Sequence, residues 1–283
     1  MENLFSQIKQ CKSEKEVKKL VDKALEEAYK NSIKGATLGF DRESSKKTYK
    51  GFIHPKTRVR YSNMGIETYG METTDYIYEY AIMVWKDEHL QNKQGFINSL
   101  ESFINYYFGY PRYDRDMRYD FFFQRAWQET KTDDELFARL EKNQIGDLRG
   151  LGIAQCSERA AVAQNLLSLF GFESYYCTGA VKHNGKEEGH AFLVVKTANA
   201  YAIVDYSMPV TVTRENGNVY YLPYITEIKA EEFEEFLNGN VVKEFADYEL
   251  LVNKGSIRKL DLDSKRYYMV GDQEMIKANQ PGV

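Results

Sequence analysis

The chain has 283 residues, 43% of them hydrophobic and 28% charged, a globular composition that excludes a disordered or fibrous protein. Its 38 basic and 42 acidic residues leave a net charge of −4, so no basic footprint argues for nucleic acid. The longest uninterrupted apolar run, Tyr80 to Trp85, falls far short of the roughly 20 residues that span a bilayer, so no membrane segment is expected.

The first predicted element is a helix. Ser13-Glu14-Lys15-Glu16 has capping-box spacing, and Val17, Leu20, Val21, Ala24, Leu25 and Ala28 follow at helical intervals until Gly35. Residues 36 to 85 read as strands and turns, closing with the β-rich run Asp75 to Trp85. A helical period returns over 88–108, through Leu90, Phe96, Ile97, Leu100, Phe103, Ile104 and Tyr107, and Gly109-Tyr110-Pro111 breaks it. Residues 112 to 145 read as mostly helical, and Gly146-Asp147-Leu148-Arg149-Gly150-Leu151-Gly152 is the most loop-like stretch. Near the C-terminus, Ala230 to Asn238 reads as a short acidic helix, and 245–253 and 257–270 alternate like strands.

Behind the Gly-rich loop, Cys156 opens a helix whose apolar stripe runs through Ala160, Ala163, Leu167 and Phe170, with Gly171 as its stop. A cysteine at a helix N-terminus meets unpaired backbone N–H groups and the positive end of the dipole, which favour a thiolate. Residues 173 to 181 read as a strand. His190 to Lys196 and Tyr201 to Ser207 read as two more, joined by the four-residue turn Thr197-Ala198-Asn199-Ala200. That turn sets His190 opposite Ser207 and Phe192 opposite Asp205. His190 and Asp205 then share a face as diagonal neighbours, within reach of each other's side chains. A one-residue slip would put them on opposite faces, so the register is a commitment. Aspartate is depleted in strands and costly to bury unpaired, so Asp205 needs a partner. Cys156, His190 and Asp205 together form the Cys-His-Asp constellation of nucleophile, base and orienting carboxylate.

The stretch Gly152 to Ala160 with its Gln155-Cys156 dipeptide, then Leu166-Leu167 and Gly171, Gly189-His190-Ala191-Phe192-Leu193-Val194, and Tyr201-Ala202-Ile203-Val204-Asp205 resembles the transglutaminase-like superfamily. The resemblance covers roughly residues 145 to 210. It implies an α+β fold with a papain-like or transglutaminase-like catalytic core. That core is assigned to residues 91–283, with a strand-rich C-terminal part, and residues 1–90 form an N-terminal α/β extension. It implies Cys156 as nucleophile, His190 as general base and acid, and Asp205 as the residue that orients His190. The tetrahedral oxyanion needs preorganised donors. The backbone N–H of Cys156 is the first. The adjacent Gln155 side chain and, by analogy with transglutaminases, Trp127 are candidates for the second.

The expected chemistry is acyl transfer on an amide, peptide or protein through a Cys156 thioester, ending in hydrolysis, as in a cysteine peptidase or amidase. A protein transglutaminase, an arylamine N-acetyltransferase-like acyltransferase and a non-catalytic binding module on the same fold are the alternatives. The acetyltransferases carry a compact Arg-Gly-Gly-x-Cys motif, whereas Arg149 and Gly150 here stand seven and six residues before Cys156. Transamidation needs a cleft that admits an amine ahead of water, and no calcium-loop spacing is present. No cofactor is expected, because neither a dinucleotide fingerprint nor a Walker sequence occurs. Cys156, Cys177 and His183 lack the short ligand spacing of a structural zinc site. Three cysteines make no disulfide framework, and the N-terminus lacks the basic start and apolar core of a secretory signal, so the cytoplasm is the expected location.

Overall fold

A computed structural model describes residues 4–32, 37–38, 48–61, 66–110, 128–140, 142–183, 186–213, 219–237, 242–245 and 248–251. Its helices are α1 (Leu4–Gln7), α2 (Glu14–Asn31), α3 (Asp75–Lys86), α4 (Lys93–Phe108), α5 (Asp133–Leu140), α6 (Cys156–Leu169) and α7 (Phe233–Leu237). The strands are β1 (Thr37–Leu38), β2 (Thr48–Lys50), β3 (Arg58–Tyr61), β4 (Ile66–Gly70), β5 (Ser174–His183), β6 (Lys186–Lys196), β7 (Tyr201–Thr213), β8 (Val219–Ile228), β9 (Val242–Phe245) and β10 (Tyr248–Leu251). The architecture is mixed helix and sheet.

Strands β5 to β8 follow one another as an antiparallel meander in the order β8-β7-β6-β5, and β10 and β9 extend it as a second hairpin. Two segments share the outer edge of β5. Strand β2 pairs with Tyr175 to Cys177, and β10 pairs with Ala180 to Lys182. Strands β1, β3 and β4 form a separate small sheet. In the central hairpin, Leu193 pairs with Val204 and Lys196 with Tyr201, the register expected from the four-residue turn.

One hydrophobic cluster runs from Leu4 through Val17, Tyr76, Phe96 and Leu166 to Tyr206. The N-terminal α/β segment therefore shares its core with the cysteine helix. Hydrogen bonds stitch the two together. The Asn165 side chain receives the Ile53 N–H at 2.6 Å and donates to the Tyr76 hydroxyl at 3.0 Å, and Gln164 donates to the Gly51 carbonyl at 2.8 Å. A smaller cluster on the sheet, Cys177, Phe192, Val194 and Ile203, is packed with Phe233 and Phe236 of α7.

The run from Asp75 to Trp85 is a helix, not the expected strand. Tyr76, Ile77, Tyr80, Ala81 and Val84 are the buried positions, a 3.6-residue stripe. Packing of that stripe overrides the β-preference of its Tyr, Ile and Val residues. The acidic helix near the C-terminus is present as a 3-10 turn, Ala230–Glu232, running into α7. Within the expected strand over 245–253, Tyr248–Leu251 is strand β10, paired with β9 and β5, and residues 246–247 and 252–253 lie outside the described residues. The expected strand over 257–270 and residues 112–127 of the expected helical stretch lie outside the described residues, and the described remainder of that stretch holds α5.

Candidate active site

Helix α6 begins at Cys156, and its first turn is built by side chains that look back along the chain. The Glu158 carboxylate accepts the Gln155 N–H at 2.8 Å, and the Gln155 side chain receives the Glu158 N–H in return, a reciprocal capping box. The Gln155 carbonyl accepts the Arg159 N–H at 3.2 Å, the first bond of the helix. Cys156 is therefore fixed where the backbone N–H groups have no intrahelical acceptor.

The preceding loop is tied to the end of α4. Gly150 N–H donates to the Tyr107 carbonyl at 2.9 Å and Gly152 N–H to the Phe108 carbonyl at 2.7 Å. Gly109, which ends α4, has φ of +84°, and a Cβ on it would lie 2.8 Å from the Gly152 nitrogen. Only glycine meets both demands.

The hairpin brings His190 and Asp205 together. His190 Nε2 is hydrogen-bonded to Asp205 Oδ2, and both side chains are buried. The other carboxylate oxygen, Oδ1, accepts the Ser207 N–H at 2.8 Å and the Ser207 hydroxyl at 2.6 Å. Burial alone would raise the Asp205 pKa. The His190 charge, its hydrogen bond and the two Ser207 bonds outweigh burial and hold the carboxyl below the usual range. Burial likewise opposes an imidazolium at His190, but the Asp205 charge and hydrogen bond overcome it, with a further contribution from the Cys156 thiol. The His190 pKa therefore lies well above the ordinary histidine value. His190 Nδ1, the ring nitrogen not used by Asp205, is buried without a hydrogen-bond partner.

The other two cysteines stand in different surroundings. Burial pushes the Cys177 thiol up to about 12, only partly offset by a hydrogen bond with Thr48. Burial and the neighbouring Glu16 raise that of Cys11. All three cysteines are free.

Beneath the site lies a second polar group that sequence reasoning missed. Arg159 is 1% exposed, and its guanidinium donates to the Ala154 carbonyl at 3.2 Å, Asn105 Oδ1 at 2.8 Å and the Gly109 carbonyl at 3.1 Å. Asn105 in turn donates to Glu101 Oε1 at 2.7 Å. Burial pushes the Glu101 carboxyl up to about 8, assisted by the Asp205 charge and opposed by Arg159 and the Asn105 hydrogen bond. The signal for Glu158 was in the sequence, since Gln155-x-x-Glu158 has capping-box spacing. Nothing in the sequence marked Arg159, Asn105 or Glu101, and the hairpin register set Ser207 opposite His190 without revealing its bonds to Asp205.

Of the expected residues, the structure gathers Cys156, His190 and Asp205, with Gln155 engaged in the helix cap. Trp127 lies outside the described residues. Among the described residues, no group of three or more His, Cys, Asp or Glu side chains is arranged to hold a metal, and no helix is long and apolar enough to cross a membrane. No protein-family model matches the chain, and comparison with curated proteins finds no significant match.

Proposed function

We propose that the chain is a transglutaminase-like cysteine hydrolase, built on a papain-like core, that cleaves an amide or peptide bond through a Cys156 thioester. The observation that carries this reading is one constellation. A cysteine at a helix N-terminus interacts with a histidine one of whose ring nitrogens is held by a buried, doubly anchored aspartate.

Asp205 fixes the His190 ring and favours its charged form, so the thiol proton moves to Nδ1 and leaves a thiolate. The thiolate attacks the substrate carbonyl carbon, and the Cys156 N–H faces the oxyanion that develops there. The proton on His190 passes to the leaving amine. Water, deprotonated by His190, then releases the acyl group as a carboxylate and restores the thiol. Three free cysteines suit a reducing compartment such as the cytoplasm.

The test has two arms. Iodoacetamide at pH 6 should label Cys156 far faster than Cys11 or Cys177, whose thiols are raised by burial. A glutamine-bearing peptide incubated with a primary amine should give Cys156-dependent hydrolysis faster than amine adduct, followed by mass spectrometry. Adduct outpacing hydrolysis would make the enzyme a transamidase. Slow and equal labelling of all three thiols would make the chain a binding module.

A further inference from the structure

The peptide plane just ahead of the nucleophile is held at both ends by side chains of the nucleophile's own helix. In the Ala154–Gln155 peptide, the carbonyl oxygen accepts from Arg159 Nε at 3.2 Å, and the N–H donates to Glu158 Oε2 at 2.8 Å. The following peptide, Gln155–Cys156, has its carbonyl committed to the Arg159 N–H at 3.2 Å. Its N–H is that of Cys156. With one plane clamped at both ends and the next clamped at its oxygen, the direction of the Cys156 N–H is set.

We propose that Glu158 and Arg159 are positioning residues that aim the Cys156 backbone N–H at the oxyanion formed during acylation. The inference rests on the proposed thioester chemistry and goes beyond it by assigning a task to two residues outside the triad.

Both are buried, Glu158 at 0% and Arg159 at 1% exposure, where a charged group is costly unless it is hydrogen-bonded, and their partners here are the backbone ahead of Cys156 and the end of α4. A lone helix cap would not call for an arginine. Arg159 also reaches across to Asn105 of α4 and to the carbonyl of Gly109, so it braces the clamped plane against a neighbouring helix. An oxyanion donor acts only when it is in place before the charge develops, because reorienting a dipole during the reaction would cost what the donor contributes. Bracing through a rigid helix supplies that preorganisation.

The experiment separates a reaction that develops an oxyanion from one that does not. With p-nitrophenyl acetate, the thiolate adds to the acetyl carbonyl, an S–C bond forms, the C–O bond breaks, and p-nitrophenolate leaves while His190 keeps the thiol proton. That step passes through a tetrahedral oxyanion. With iodoacetamide, the thiolate displaces iodide at a saturated carbon, and no oxyanion forms. The wild type, Arg159→Lys and Glu158→Gln are compared, each rate being taken per mole of titratable Cys156 so that loss of folded protein drops out.

Removing one oxyanion donor costs roughly 10²–10³-fold, so misaiming one is expected to slow acylation at least about 10-fold. Alkylation should stay within about twofold. If acylation falls no further than alkylation, Glu158 and Arg159 are structural and the inference is overturned. If the wild type gives no p-nitrophenol burst that Cys156→Ala abolishes, the thioester reading itself fails, which is a different result.

Discussion

Helices α2 and α6 are built by opposite rules. Helix α2 buries only Val17, Val21 and Leu25 and leaves its lysines and glutamates in water, so its sequence is a plain amphipathic stripe. Helix α6 is buried almost all round, and the buried set includes Ser157, Glu158, Arg159, Gln164 and Asn165. Polar side chains inside a core are tolerated when hydrogen-bonded, and here Glu158, Arg159, Gln164 and Asn165 hold the preceding loop and neighbouring segments. The contrast separates what stability needs from what a site needs. An amphipathic helix needs only its stripe.

The largest expected effect tests that separation at the triad. Asp205→Asn should keep the fold and lower turnover by about 10³–10⁴-fold, because an amide no longer favours the charged His190 or holds its tautomer. The same substitution should slow Cys156 alkylation at pH 6, where the thiolate depends on His190 carrying its proton. Near-full turnover by Asp205→Asn, on a substrate that Cys156→Ala cannot process, would make Asp205 an ordinary strand residue.

A smaller effect compares the two helices directly. Asn165→Ala on α6 strands the Ile53 N–H, the Ile53 carbonyl and the Tyr76 hydroxyl, all buried. Unsatisfied groups of this kind cost about 1–3 kcal/mol each before relaxation, so urea unfolding should show a loss of about 2–4 kcal/mol. Lys19→Ala on the solvent face of α2 should stay within about 0.5 kcal/mol. Equal effects at the two positions would mean that the buried polar bonds of α6 contribute nothing beyond an exposed side chain.

How much was legible follows the same line. Helix α2, the register of the central hairpin and the meeting of His190 with Asp205 could be read because each rests on local spacing: a capped stripe, a four-residue turn, a period of two. Helix α3 was misread because Tyr, Ile and Val favour strands locally, while its buried stripe is decided by what packs on it. The Glu101–Asn105–Arg159 network was illegible for a further reason. Its members come from two helices about 50 residues apart in sequence, and each bond depends on how those helices cross. Ser207 was hidden differently. A serine two residues beyond Asp205 looks like strand filler until its hydroxyl is seen on the carboxylate.

The last prediction concerns Glu101, which belongs to neither extreme. It is a fully buried carboxyl on α4, bonded to Asn105 and in the field of both Arg159 and Asp205. Burial pushes its pKa up to about 8 from an ordinary value of 4.5, so the folded protein holds a proton there that the unfolded chain releases. The sign follows. The stabilisation is fully present below about pH 4.5 and is lost as pH rises toward 8, at no more than about 1.4 kcal/mol per pH unit. Glu101→Gln removes the titrating proton while keeping an oxygen for Asn105. Urea unfolding of the wild type and the variant at pH 5, 6, 7 and 8 should therefore diverge, the variant losing less stability across the series. Parallel curves would mean that Glu101 is already ionised in the folded state. Arg159 and Glu101 would then carry opposite charges bridged by Asn105, and the brace beneath Cys156 would be held by charge as well as by hydrogen bonds.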